Sequence, residues 1–258
     1  MNIPFFKYQG TGNDFIVIDA RYQEIGALNI ALMCHRRFGI GADGLMLLKN
    51  CQGFDFEMVY YNSDGRTSSM CGNGGRCIAK FAHKLGLGRK GLLHFLAVDG
   101  PHQAQITANE VRLQMTDVKY CETKNGAVAI LNTGSPHYVK FISTDPEQED
   151  LIALAHAVRY SEEFKVAGIN VNLVQIAAEG KLKMRTYERG VEGETYSCGT
   201  GVTAAAIAYS HLYNKQIKVT EVSTAGGLLS VEFEMNEQGW HNIHLTGPAE
   251  EVYQGIWP

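Results

Sequence analysis

Little in this chain points to a specialised environment. Its 258 residues hold only 6 prolines, and no Pro- or Gly/Ser-rich stretch reads as a flexible linker. No run approaches the roughly 20 apolar residues that a membrane span needs, and the opening Met1-Asn2-Ile3-Pro4-Phe5-Phe6-Lys7-Tyr8 lacks the apolar core of a signal peptide. A cytoplasmic location is expected. The formal charge of -4 gives no basic footprint, so neither nucleic acid nor a membrane surface is expected as a partner. The 6 cysteines, Cys34, Cys51, Cys71, Cys77, Cys121 and Cys198, include no C-x-x-C pair, and no histidine has ligand spacing, so no metal site is read. In a reducing compartment all are expected as thiols.

Against that plain background two cysteines stand out. Cys71 lies in Met70-Cys71-Gly72-Asn73-Gly74-Gly75-Arg76-Cys77, and Cys198 in Ser197-Cys198-Gly199-Thr200-Gly201. Each follows a polar, turn-like segment and precedes a helical run, read as Arg76–Leu85 and Val202–Tyr213. A thiol at a helix N-terminus meets the positive end of the macrodipole, which favours thiolate. Glycines there let a ligand approach the backbone, whose N–H groups can hold a carboxylate. The other four cysteines read as small buried hydrophobes.

The setting of the two cysteines is part of a longer repeat. Thr11-Gly12 aligns with Thr133-Gly134 at a difference of 122, Gly39-Ile40 with Gly168-Ile169 at 129, Met58 with Met184 at 126 and Cys71 with Cys198 at 127. In that register Asn62 matches Glu188, and the Asn13-Asp14 turn matches Ser135-Pro136-His137. The order and spacing argue for duplication. The expected domains are residues 1–122, carrying Cys71, and 123–251, carrying Cys198, with the tail from about 252 to 258 able to pack back on the first. Short strands alternate with turns throughout. Asn29 is read as the cap of a short helix through Phe38, and Asp145-Pro146 as the start of a helix through Tyr160. The run Val202-Thr203-Ala204-Ala205-Ala206-Ile207-Ala208-Tyr209 is apolar on nearly every side and reads as a helix enclosed by sheet. The fold class is therefore α+β.

Two thiols acting on one carbon from opposite faces could invert a stereocentre, one removing a proton and the other returning one. Two helix N-termini would stabilise the charge developing on a substrate carboxylate.

At these residues the chain closely resembles the diaminopimelate epimerases. The resemblance runs through Gly10-Thr11-Gly12-Asn13-Asp14-Phe15, Gly39 to Gly44, Asn62 to Gly65, Met70 to Cys77, Gly134 to His137, Glu188-Arg189-Gly190 and Cys198 to Gly201. It implies two pseudo-symmetric domains, each a mixed or antiparallel barrel-like sheet around a central helix, with the active site in the interdomain cleft. It also implies pyridoxal-independent epimerisation of LL- to meso-diaminopimelate, with no cofactor, by a homodimer serving lysine and peptidoglycan precursor synthesis. Residue by residue, it implies an acid/base pair in Cys71 and Cys198 with His137 and Glu188 in support. Gly72, Asn73, Gly199 and Thr200 would hold the reacting carboxylate, and Asn13, Gly44, Asn62, Ser135, Asn170, Glu188 and Arg189 would line the substrate. Taken alone, His137 reads as a structural histidine in a turn. Three departures from the family pattern bear on the substrate: Ser135 replaces a usual asparagine, Gly44 stands where some members have glutamine, and 190–197 is one residue longer. Proline-racemase-like enzymes share the two cysteines, phenazine-biosynthesis-like isomerases replace them, and a non-catalytic binding protein would have no need of the pair.

Overall fold

A computed structural model describes residues 2–22, 26, 28–67 and 70–258. The chain folds as two units, Met1–Leu113 with Gly247–Pro258, and Gln114–Thr246. Among the described residues no helix is long and apolar enough to cross a membrane.

The first unit begins with β1 (Ile3–Gly10) and β2 (Asn13–Asp19), joined by a turn in which Gly12 adopts a left-handed φ of 83°. After α1 (Ile30–Cys34) come β3 (Gly44–Lys49), β4 (Phe56–Asn62), α2 (Gly72–Lys84), β5 (Leu92–Ala97), β6 (Gly100–Ile106) and β7 (Val111–Gln114). Going along the sheet, β1 pairs antiparallel with β2, β2 parallel with β3, β3 antiparallel with β4, β4 parallel with β5, and β5, β6 and β7 are antiparallel in turn. The helix α2 packs on β1, β2, β3 and β6, and every residue from Gly72 to Ala82 is buried except Lys80.

The second unit contains β8 (Cys121–Lys124), β9 (Val128–Asn132), β10 (Pro136–Ile142), α3 (Leu151–Arg159), β11 (Asn170–Ala178), β12 (Lys181–Glu188), β13 (Gly193–Thr195), α4 (Gly199–Leu212), β14 (Val219–Thr224), β15 (Gly227–Asn236) and β16 (Gly239–Gly247). Here β9 pairs antiparallel with β10, β10 parallel with β11, β11 antiparallel with β12, β12 parallel with β14, and β14, β15 and β16 are antiparallel in turn. The two series of pairings are the same. As its apolar composition predicts, α4 is buried on nearly every side, with β8 to β12, β14 and β15 packed against it. A last strand, β17 (Glu250–Trp257), returns to the first unit and pairs antiparallel with β1.

The strand register fixes the duplication residue by residue. Phe15 stands opposite Gly44 and Gly44 opposite Asn62, as His137 stands opposite Asn170, while Val171 faces Tyr187. Met46 faces Tyr60 as Asn172 faces Thr186. Phe15 and His137 are therefore equivalents, as are Met46 and Asn172, and Tyr60 and Thr186. Gly44 corresponds to Asn170 at a difference of 126, so the match of Gly39-Ile40 to Gly168-Ile169 at 129 does not hold. The loops leading into β3 and β11 differ in length, and identical dipeptides there fall at different steps.

Two helices also differ from the sequence reading. α1 stops at Cys34, where the His35 ring Nδ1 accepts from the backbone N–H groups of Arg37 and Phe38 and turns the chain. The expected helix from Asp145 is split: Asp145 caps a single 3-10 turn, Pro146–Gln148, and Asp150 caps α3 by accepting from Ala153 N–H.

Candidate active site

Each cysteine occupies the N-cap of the central helix of its own unit. Cys71 has φ -108° and ψ 128°, Cys198 has φ -116° and ψ 111°, and neither side chain caps its helix. Both helices start at the residue after the cysteine, several residues earlier than propensity suggests, because Cys71 O accepts from Gly75 N–H at 2.7 Å and Cys198 O from Val202 N–H at 2.8 Å. Glycine disfavours helix by about 1 kcal/mol, which hides these first turns from a propensity reading. What it allows instead is close packing. A Cβ at Gly74 would lie 3.2 Å from Met46 Sδ, and at Gly201 it would lie 2.7 Å from Asn172 Oδ1. Each first turn sits directly on the third strand of its series, α2 on β3 and α4 on β11, with its N–H groups directed out of the helix end.

Around Cys71 the structure brings together Asn13, Asn73, Gly72 and Arg76. Asn13 Nδ2 donates to Asp43 Oδ2 at 2.6 Å, which fixes its amide so that Oδ1 accepts from Asn73 Nδ2 at 3.4 Å and lies 3.7 Å from Cys71 Sγ. Behind Asn13, Asp14 is gripped by Lys7 and Arg36, each at 2.8 Å. Burial works against its charge, but the hydrogen bonds from Arg36 and Lys7 prevail and hold its carboxyl down at about 2. Lys7 also donates to Gly41 O. Gly44 leaves no room for a side chain, since a Cβ there would come within 2.5 Å of the Tyr60 ring. Asn62 ends β4, and its side-chain amide makes no hydrogen bond among the described residues.

Arg76 is a feature that sequence reasoning passed over. Its guanidinium is fully buried and donates to Thr11 Oγ1, Asn73 Oδ1, Gly72 O and Pro248 O, all neutral acceptors. Burial works against its charge. It braces the Cys71 loop from below, and its place inside the Gly-rich block was the available signal.

Around Cys198 lie Thr200, His137, Asn170, Asn172, Ser135 and Thr186. Thr200 Oγ1 is 3.4 Å from Cys198 Sγ and 3.0 Å from His137 Nε2. Asn172 Nδ2 donates to His137 Nδ1 at 3.1 Å, and Thr186 Oγ1 donates to Asn172 Oδ1 at 3.0 Å. His137 is fully enclosed: burial, with the Arg189 charge adding to it, presses its pKa down to about 3 and keeps the ring neutral. Asn170 is committed on both sides, donating to Ser135 Oγ and Pro136 O and accepting from Arg189 N–H. Arg189 itself donates to Ala167 O, and its side chain is exposed. Glu188, at the end of β12, accepts from Thr195 Oγ1. Glu192 anchors the long 190–197 segment by accepting from Arg159, Tyr160, Tyr187 and Gly190 N–H, in a left-handed conformation with φ 54°. Asn172 and Thr186 were also missed. The signal was polar residues at alternate, inward-facing positions of an otherwise apolar strand.

The remaining buried thiols are of another kind. Burial raises Cys34 to about 11 and Cys77 and Cys121 to about 12, which leaves them inert at neutral pH.

The duplicated sheet packed on a central helix in each unit defines a class: the fold shared with a phenazine biosynthesis protein of the PhzF family from Bacillus anthracis. That crystal structure matches with a TM-score of 0.77 over 100% of this chain and 99% of its own, at 14% identity. Within the class, a profile of the family described as diaminopimelate epimerase matches residues 5–121 and 129–252. A diaminopimelate epimerase of Flavobacterium psychrophilum is 47% identical over 256 residues, covering 98% of this chain and 99% of the relative. One of Aquifex aeolicus is 37% identical, covering 98% and 97%. The chain belongs to the diaminopimelate epimerase family, and with it to the isomerases.

Proposed function

We propose that this protein interconverts LL- and meso-diaminopimelate by moving the α-proton between two cysteines, without pyridoxal phosphate. The observation that carries the reading is the duplicated N-cap cysteine, with the same backbone conformation and the same Cys-Gly-x-Gly sequence in both units. Membership of the family supports the substrate and a role in lysine synthesis.

The chemistry requires one cysteine as thiolate to take the α-proton while the other, as thiol, supplies one to the opposite face. The carbanion formed is stabilised through its carboxylate. In this reading Gly72, Asn73, Gly199 and Thr200 bind that carboxylate with first-turn N–H groups, and the helix dipoles favour the negative charge building there. Arg189 suits a distal carboxylate by bidentate donation, and Asn13 and Asn62 offer carbonyl oxygens to a distal ammonium. Ser135 and Gly44 shape the same region, and Asn170 acts by holding Ser135 and Arg189 in place. Glu188 supports the second cysteine. His137, held neutral, serves as a hydrogen-bond donor near Cys198 rather than as a proton carrier. One cysteine acts from each half, read from the sequence as 1–122 and 123–251 and bounded in the fold at 113/114 and 246/247, and the working form is a cytoplasmic homodimer, whose stoichiometry sedimentation of the purified protein reads directly.

The test is to incubate reduced protein with LL-diaminopimelate, without pyridoxal phosphate, and resolve the stereoisomers. Formation of the meso isomer, with proline left unchanged, supports the reading. A folded protein with intact thiols that makes no meso isomer contradicts it. Cys71→Ser and Cys198→Ser should each lower turnover at least about a hundredfold, the scale of losing a general acid or base.

A further inference from the structure

The two cysteines share a backbone setting but not the side chains beneath it. Under α4 the polar atoms form one continuous series whose direction is fixed by a backbone carbonyl. Tyr138 O, which can only accept, faces one amide atom of Asn172 and identifies it as the NH₂, so that Oδ1 accepts from Thr186 Oγ1 at 3.0 Å. That NH₂ donates to Tyr138 O at 3.2 Å and to His137 Nδ1 at 3.1 Å. Since Nδ1 accepts and the ring is neutral, the single ring proton sits on Nε2. Nε2–H then donates to Thr200 Oγ1 at 3.0 Å, closer than Asn170 Nδ2 at 3.5 Å, whose protons go to Ser135 Oγ and Pro136 O; with that lone pair of Thr200 taken, its hydroxyl is free to donate to Cys198 Sγ, 3.4 Å away. The Thr200 backbone is fixed in turn, because its carbonyl accepts from Thr133 Oγ1 at 2.9 Å.

We infer that Asn172 is a positioning residue that sets the Nε2–H tautomer of His137, and that His137 thereby orients the Thr200 hydroxyl as a hydrogen-bond donor that stabilises Cys198 as thiolate. The inference rests on the reading of Cys198 as an acid/base group. It goes further in making the relay one-sided: the equivalents of His137, Asn172 and Thr186 in the other unit are Phe15, Met46 and Tyr60, which cannot reproduce it. Two charged groups of the same unit also bear on this corner. Arg189 adds to the pressure keeping His137 neutral, and Glu188 lies at the end of β12, held by Thr195. Neither can substitute for a directed hydroxyl. An Asp at 172 would reverse the series, because a carboxylate accepts from Nδ1–H and moves the ring proton away from Thr200.

The experiment uses the full-length, reduced protein without substrate, so its outcome is independent of whether diaminopimelate is the substrate. Iodoacetamide labelling across pH is followed by mass spectrometry on the peptides carrying Cys71 and Cys198 separately. Thr200→Val should slow labelling of Cys198 at pH 7 by about tenfold, the effect of one lost hydrogen bond to a thiolate, with Thr200→Ser restoring it and Cys71 unchanged in both. In ¹⁵N-histidine spectra, the resonance absent from His137→Gln should report Nε2–H in the native protein and change in Asn172→Asp. If Thr200→Val labels Cys198 with the native pH profile, the inference is overturned. It is equally overturned if the native His137 resonance reports Nδ1–H, a measurement that needs no folded variant at position 172.

Discussion

Gly74 and Gly201 are equivalent glycines on equivalent helices, yet a methyl group at each meets something different. At Gly74 the nearest atom is the thioether of Met46 at 3.2 Å, the pliable end of a flexible side chain. At Gly201 it is Asn172 Oδ1 at 2.7 Å, an atom already committed to Thr186. Gly201→Ala should therefore destabilise by about 1 to 3 kcal/mol despite alanine's better helix propensity, while Gly74→Ala should cost less, in denaturant melts of the two variants. The enclosed His137 makes a second prediction. Its folded pKa, about 3, lies below that of an unfolded histidine, so between roughly 6.5 and 3 the unfolded chain binds the extra proton and stability falls as pH falls. His137→Gln should unfold at lower pH than the native protein in acid titrations followed by circular dichroism, with the window between those two values flattened. At this scale the sequence made the cysteines legible, because Cys-Gly-x-Gly occurs twice in a repeated frame. It did not make Arg76, Asn172 or Thr186 legible, since the roles of buried polar groups depend on partners far along the chain. Arg76, for example, joins Thr11 and Pro248.

Elements were readable where pattern and capping agree. Asn29 caps α1 as expected, accepting from Leu32 N–H, and α4 is enclosed as its apolar run implied. The split at Asp145 shows what a cap alone does not decide. Both Asp145 and Asp150 are competent caps, and the helix that persists is the one whose Leu151 and Ala155 pack against Ile169, Val171 and Tyr187. Burial of the stripe chooses between two local signals of similar strength. Asp150→Ala should then lower stability by about 1 kcal/mol in thermal melts, the usual worth of an N-cap, whereas the same change at Asp145 should act chiefly through its ion pair with Lys183. The early starts of α2 and α4 escaped the sequence for the reason that makes them useful: glycine weakens helix signal and opens the backbone.

For the molecule as a whole, the repeat was visible in four ordered blocks, and the strand pairings reproduce it through the whole series from β1 to β7 and from β9 to β16. What sequence spacing misjudged was the loop before β11, where a matching dipeptide lay three positions out of register. The chain also returns at its end to where it began. β17 lines β1, Glu251 accepts from Tyr8 and pairs with Lys84, and Gly255 lies against the Phe5 ring. Removing residues 250–258 should lower the melting temperature by several degrees and open residues 1–113 to proteolysis before 114–246, readable by timed digestion and mass spectrometry. The proposed reaction draws on the duplication, one cysteine belonging to each unit. The most direct test is a short reaction of LL-diaminopimelate in D₂O, with the label counted in the first meso product. Two cysteines working from opposite faces predict one solvent deuterium at the inverted α-carbon of essentially every product molecule. Product that retains its original α-hydrogen would mean that a single base carries the proton across, and the two-cysteine account would fail.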